Sequence, residues 1–166
     1  MKVPAVVLHA LRDAVLAAPD GEARLRDAGF VAGLALHDAF NALVLASDGV
    51  EASALPFGRF VRALGRYLAE HGWGTVAIAP EPPDVLHVAA SAWIESDGEA
   101  ESPFPACHFS TGLFAGLFGR VGGAPLAVLE VSCRSAGAAT CTFAVGSREV
   151  MDALWERMQG ADGVRS

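Results

Sequence analysis

The sequence predicts an α+β domain, an antiparallel sheet of about four strands with helices packed on one side. Three observations carry this. Roughly the first 70 residues keep apolar side chains at three- and four-residue steps, the period of helices. From Gly74 onward the pattern shifts to short runs rich in Val, Ile and Thr, separated by turn residues. These runs come in pairs with short connections, which implies antiparallel neighbours. The predicted order is α-α-α-β-β-α-β-β-α.

The first helix spans residues 4 to 17, with Val6, Val7, Leu11, Val15 and Leu16 in step and Pro4 suited to its first turn. Pro19-Asp20-Gly21 breaks it. A longer helix follows from about Glu22 to Ala46, ended by Ser47-Asp48-Gly49. A third runs from Pro56 to Glu70. Gly74 to Ala79 and Val85 to Ile94 read as strands around the turn Glu81-Pro-Pro-Asp84. Pro103 to Arg120 reads as a helix. Leu126 to Val131 and Thr140 to Val145 read as a hairpin whose turn contains Gly137. Ser147 is the expected N-cap of a last helix. Residues 1–160 are expected to form one domain, and residues 161–166 a frayed tail.

The chain has 166 residues, 52% hydrophobic and only 19% charged, so part of its apolar surface is expected to be covered by a partner or ligand. A net charge of −7, with basic residues scattered singly, argues against a nucleic-acid surface. No uncharged apolar run reaches the ~18 residues of a spanning helix, and the N-terminus does not read as a signal peptide. Three cysteines cannot all pair internally, which fits a reducing, cytoplasmic setting.

Those cysteines stand close to a glutamate: Cys107, then Glu130-Val-Ser-Cys133, then Cys141. Thiolates and a carboxylate are ligands that a tetrahedral Zn²⁺ accepts. The hairpin would bring Cys133 and Cys141 side by side, and Cys107 falls in the first turn of the fourth helix. Glu130 and Cys133, three residues apart, would face opposite sides of a regular strand. A bulge or strand end near Ser132 is needed to turn both inward. Spacing alone leaves open both a metal site and three small buried apolar residues.

The runs Pro105-Ala-Cys107-His-Phe-Ser-Thr-Gly112-Leu-Phe-Ala-Gly116 and Glu130-Val-Ser-Cys133-Arg-Ser-Ala-Gly137-Ala-Ala-Thr-Cys141-Thr-Phe143 resemble the 4-vinyl reductase domain family. That family includes sensor domains of phenol- and xylene-responsive bacterial activators and bacteriochlorophyll-pathway proteins. Its fold is related to eukaryotic transport-particle subunits. The resemblance covers about Trp93 to Val145. It implies a zinc bound by Cys107, Glu130, Cys133 and Cys141, whose spacings of 23, 3 and 8 residues agree with the family's site. Four protein ligands leave no open position, so the implied role is structural. It also implies a ligand beside Trp93, which stands in a W-x-x-S context, and a homodimer.

The second helix places Phe40, with His37 and Asn41, on one apolar face. The two polar groups need partners, either within the protein, across a subunit contact or on a ligand. Phe109 and Leu113 supply apolar bulk on the fourth helix. His37, His71 and His87 are each candidates for a ligand-contacting histidine. No nucleophile elbow, P-loop, dinucleotide fingerprint or HExxH is present, and His37 and Asp38, being adjacent, are not expected to form a dyad. The expected function is a stand-alone binding domain for an apolar, aromatic or lipid-like small molecule, signalling through an effector protein in trans. A tetrapyrrole reductase or pigment-handling protein, and an acyl-chain-holding structural subunit, are the alternatives.

Overall fold

The computed structural model describes residues 4–81 and 83–163. Helices α1 (Ala5–Leu16), α2 (Gly21–Asp48) and α3 (Phe57–Glu70) precede strands β1 (Thr75–Glu81) and β2 (Val85–Ser91). Helix α4 (His108–Gly122), strands β3 (Ala127–Ser132) and β4 (Cys141–Gly146), and helix α5 (Arg148–Gly163) complete the chain. The sheet is antiparallel throughout, in the order β1-β2-β4-β3. The expected α+β class and element order are those observed.

Boundaries follow local chemistry. Gly49, at φ 71°, ends α2 in the left-handed conformation that glycine adopts without a Cβ penalty. Ser147 Oγ accepts the Val150 N–H at 3.2 Å and caps α5 as expected. β2 stops at Ser91, short of the predicted Ile94, because Ala92 takes a positive φ of 48°. α4 starts at His108, five residues later than predicted for Pro103. Pro103 and Pro105 lack amide hydrogens, and a proline disfavours helix in the residue before it. α5 continues to Gly163, past the expected start of a frayed tail, while residues 164–166 of that tail and Pro82 of the β1–β2 turn lie outside the described residues.

The core lies between one face of the sheet and helices α2, α3 and α4. Val88, Phe143 and Val145 point into it from the strands, and Phe40, Leu64, Leu68, Phe114 and Leu117 from the helices. Phe114 is the hub, with ring centroids 5.0 Å from Phe143, 5.4 Å from Trp93 and 5.9 Å from Phe118. α5 meets β3 and β4 near Gly146, where Met151 is buried.

α2 and α4 approach more closely than side chains allow. A Cβ on Gly112 would fall 1.9 Å from the Arg26 carbonyl oxygen, and one on Gly116 would fall 2.3 Å from that of Phe30. Reciprocally, a Cβ on Gly33 would fall 2.2 Å from the Leu113 oxygen. The two helices therefore interlock backbone to backbone, as the small residues on α4 suggested. Gly112→Ala and Gly33→Ala should each cost about 3 kcal/mol or more in urea denaturation, since backbone rather than a mobile side chain is struck. Gly122→Ala, where nothing lies within 4 Å, should leave stability within about 0.5 kcal/mol of the parent.

Candidate functional site

Cys107 is the N-cap residue of α4, just outside the helix rather than in its first turn. Glu130 faces Phe143 across β3 and β4, and Cys141 opens β4. Between Glu130 and Ser132 the register shifts, the β-bulge that the three-residue spacing requires. A short 3₁₀ turn at Arg134–Ala136, closed by Gly137 at φ 91°, then brings the chain back to Cys141.

The four side chains converge, all buried, with their ligand atoms within 4.8 Å of one another. Cys107 Sγ lies 3.8 Å from both Cys133 Sγ and Cys141 Sγ, and those two lie 4.0 Å apart. These distances are far beyond the ~2 Å of a disulfide. Glu130 Oε2 accepts the Cys107 N–H at 2.9 Å. Its Oε1 is the buried polar side-chain atom left without a partner among the described residues. An orphaned carboxylate oxygen turned toward three thiols is a ligand set awaiting a cation. The group could hold a metal ion.

The electrostatics agree. Burial, and then the nearby Cys133 sulfur, pushes the Glu130 carboxyl up to about 8. Hydrogen bonds from Cys107 and Cys141 pull the Cys133 thiol far down, while the Cys107 thiol is pushed up, first by its contact with Cys133. The protein alone thus concentrates its negative charge on one sulfur. A bound cation would let the other groups ionise too.

Beside this cluster lies a second buried carboxylate that sequence reasoning passed over. Glu95 is 1% exposed, and burial raises its pKa against the opposing hydrogen bonds from Ser110 and Phe109. Its oxygens accept the Phe109 N–H at 2.9 Å and the Ser110 N–H at 2.7 Å, and the Ser110 hydroxyl also donates to it. Ser110 Oγ in turn accepts the Trp93 indole N–H at 2.7 Å. Arg12 of α1 donates to the Glu95 carbonyl at 2.8 Å, and His9 contacts that of Ile94 at 2.9 Å. The only signal in the sequence was an acid within the apolar run Trp93-Ile94-Glu95.

Residues 87–147 match the model of the 4-vinyl reductase domain family. The chain carries a 4-vinyl reductase domain. No curated protein matches the sequence. Two solved structures share the fold. One is the phenol-responsive sensory domain of the transcription activator PoxR with phenol, at TM-score 0.67 and 15% identity, covering 90% of this chain and 77% of that one. The other is a trafficking protein particle complex subunit 3 from Naegleria fowleri, covalently bound to palmitic acid. It matches at TM-score 0.63 and 13% identity, covering 86% of this chain and 93% of that one.

Within this 4-vinyl reductase domain the six side chains expected at a ligand all have protein surroundings. Trp93, Phe40 and Leu113 are core residues, and the indole N–H of Trp93 is engaged by Ser110. Phe109 packs against that core, its ring stacked on Trp73 at 6.3 Å. Asn41 Oδ1 accepts the Ala52 N–H at 2.7 Å. His37 Nδ1 meets Asp38 Oδ1 at 3.0 Å, so these neighbours do pair, their side chains curling together along the helix surface. His71 Nδ1 meets the Tyr67 carbonyl, and His87 contacts Glu81. None of the six lines the 810 Å³ cavity at the other end of β4, which Phe60, Leu86, Phe118, Leu126 and Val145 help to form.

Glu95→Ala should lower stability by about 2 kcal/mol or more in chemical denaturation, because it strips the α4 N-terminus of its acceptor and leaves buried amides unpaired. Glu99→Ala, on the exposed loop, serves as the neutral comparison.

Proposed function

We propose that this 4-vinyl reductase domain is a small-molecule-binding sensor or carrier domain whose site is held by a structural zinc. The observation that carries the metal assignment is the sulfur triangle. In a tetrahedral centre with Zn–S bonds of ~2.3 Å, ligand atoms stand ~3.8 Å apart. The three sulfurs stand 3.8, 3.8 and 4.0 Å apart before any ion is considered. Glu130 Oε1 supplies the fourth ligand, and a closed set of four favours structure over chemistry at the metal.

Support for the binding role comes from the fold neighbours, one carrying phenol and the other palmitic acid. A cavity of 810 Å³ lies within the range of small-molecule sites. Trp93, Phe109 and Leu113 form the wall through which an apolar ligand is coupled to the metal end of α4, with His37, Phe40 and Asn41 on the facing helix. An apolar ligand, aromatic or acyl, fits both neighbours. Native mass spectrometry of the purified protein should retain such a molecule, and an empty protein after every gentle preparation would count against the reading.

The chain also pairs with a second copy in this proposal. Val31 and Leu45 of α2 are 67% and 50% exposed, and Val6 and Leu11 of α1 are 71% and 62% exposed. An 18-residue window of α2 has a mean hydropathy of 1.5 with 28% of it buried, more apolar surface than a solvated helix carries unaided. Light scattering at micromolar concentration should give twice the chain mass; a strict monomer refutes the pairing.

For the metal, elemental analysis should find one zinc per chain. Chelation should lower the melting temperature by roughly 10 °C or more, since zinc binding contributes on the order of 10 kcal/mol to comparable folds. Thiolates must be deprotonated to bind, so the zinc-dependent stability should be lost as pH falls toward about 5. Cys133→Ser should abolish the metal content. Metal-free protein with unchanged melting in chelator would remove zinc from the account.

A further inference from the structure

The cavity at the far end of β4 has a chemical character that the binding role leaves unspecified. Its walls are apolar, with the Phe60 and Phe118 rings 6.5 Å apart. The charged residues that line it are both acidic, Glu81 and Asp84, on the β1–β2 hairpin. Among the described residues no lysine or arginine lines it. The arginines nearest in sequence to its lining are engaged elsewhere: Arg59 by Asp48, and Arg148, 90% exposed, by Asp152.

Two further features share that sign. Gly122, the last residue of α4, lines the cavity, which places the negative end of that helix dipole beside it. Phe57, 48% exposed, stands on the same lining and offers a ring face to a cation. The opposing feature is the α5 N-terminus at Ser147, whose hydroxyl already caps the Val150 N–H. An anionic head group would meet carboxylates and a helix C-terminus with no counter-charge. An ammonium would meet all three attractions.

We propose that this cavity binds a cationic amphiphile, an aliphatic or aromatic body among the apolar walls and a protonated amine at the rim near Glu81 and Asp84. The proposal rests on the small-molecule reading and narrows it to a head-group chemistry that neither phenol nor palmitate has.

The test is calorimetric titration at pH 7 with three probes of equal chain length, dodecylamine, dodecanol and dodecanoate, each below its micellar range. The amine should bind roughly tenfold more tightly than the carboxylate, with the alcohol between. The surface variant Glu81→Gln/Asp84→Asn should bring amine and carboxylate to within about twofold while leaving the alcohol unchanged, which separates the site from general attraction to an acidic protein. Val121→Trp, and independently Leu126→Trp, should weaken all three by narrowing the cavity. Equal or tighter binding of dodecanoate, an amine preference that survives the double variant, or no binding of any probe would each overturn the proposal. If a natural ligand found by mass spectrometry persists in the tryptophan variants, the small-molecule reading stands and this site falls.

Discussion

The first amides of α4 hold the molecule together. A helix begins with N–H groups that have no partner inside the helix, and in α4 these groups are buried. Two carboxylates from different parts of the chain take them. Glu130, from β3, accepts the Cys107 amide, and Glu95, from the segment after β2, accepts those of Phe109 and Ser110. The helix is thereby pinned to one edge strand of the sheet and to the loop that carries Trp93. One turn later Gly112 and Gly116 lock it to α2. Metal ligand, indole and interhelical contact are all placed by one helix start.

That arrangement concentrates negative charge at a helix N-terminus, where the dipole favours it, but buries it, which does not. The conflict shows in the titration of the groups. Glu130 is pushed up, Cys107 is pushed up, and Cys133 is pulled down by its thiol neighbours. Several acids are competing for few charges. Hydrogen bonds settle the contest for Glu95, whose oxygens have three donors. They do not settle it for Glu130, which keeps an oxygen unpartnered. The two buried carboxylates thus differ in kind: one is complete as a helix cap, and the other is complete only with a cation.

Much of this was legible in the sequence because it rests on local rules. The three-residue gap between Glu130 and Cys133 demanded a bulge, and the bulge is there. Gly49, Gly137 and Ser147 announced turns and caps that any folded context would respect. What stayed hidden depends on partners distant in the chain. Glu95 lies fourteen residues from Phe109, and no periodicity reveals an acid that caps a helix from outside. The start of α4 was misplaced by helical propensity in a segment whose prolines decide the matter. Asn41 was legible as a buried polar group, but its partner, the Ala52 amide beyond the end of α2, was not.

The two ends of α4 impose opposite chemistry on the spaces beside them. At the N-terminus, free amides and a positive dipole end gather sulfur and carboxylate, and Gly112 and Gly116 leave no room between the helices. Space for a ligand therefore cannot open there without undoing the interlock that positions Cys107. Past Gly119 the constraint lifts: a Cβ there meets nothing nearer than 3.2 Å, and Phe118 and Val121 face a cavity. The carbonyl end of the same helix borders that cavity, and so do Glu81 and Asp84. A helix that collects anions at one end for a metal must present its negative end at the other. The polarity of a single element thus orders both the closed site and the open one.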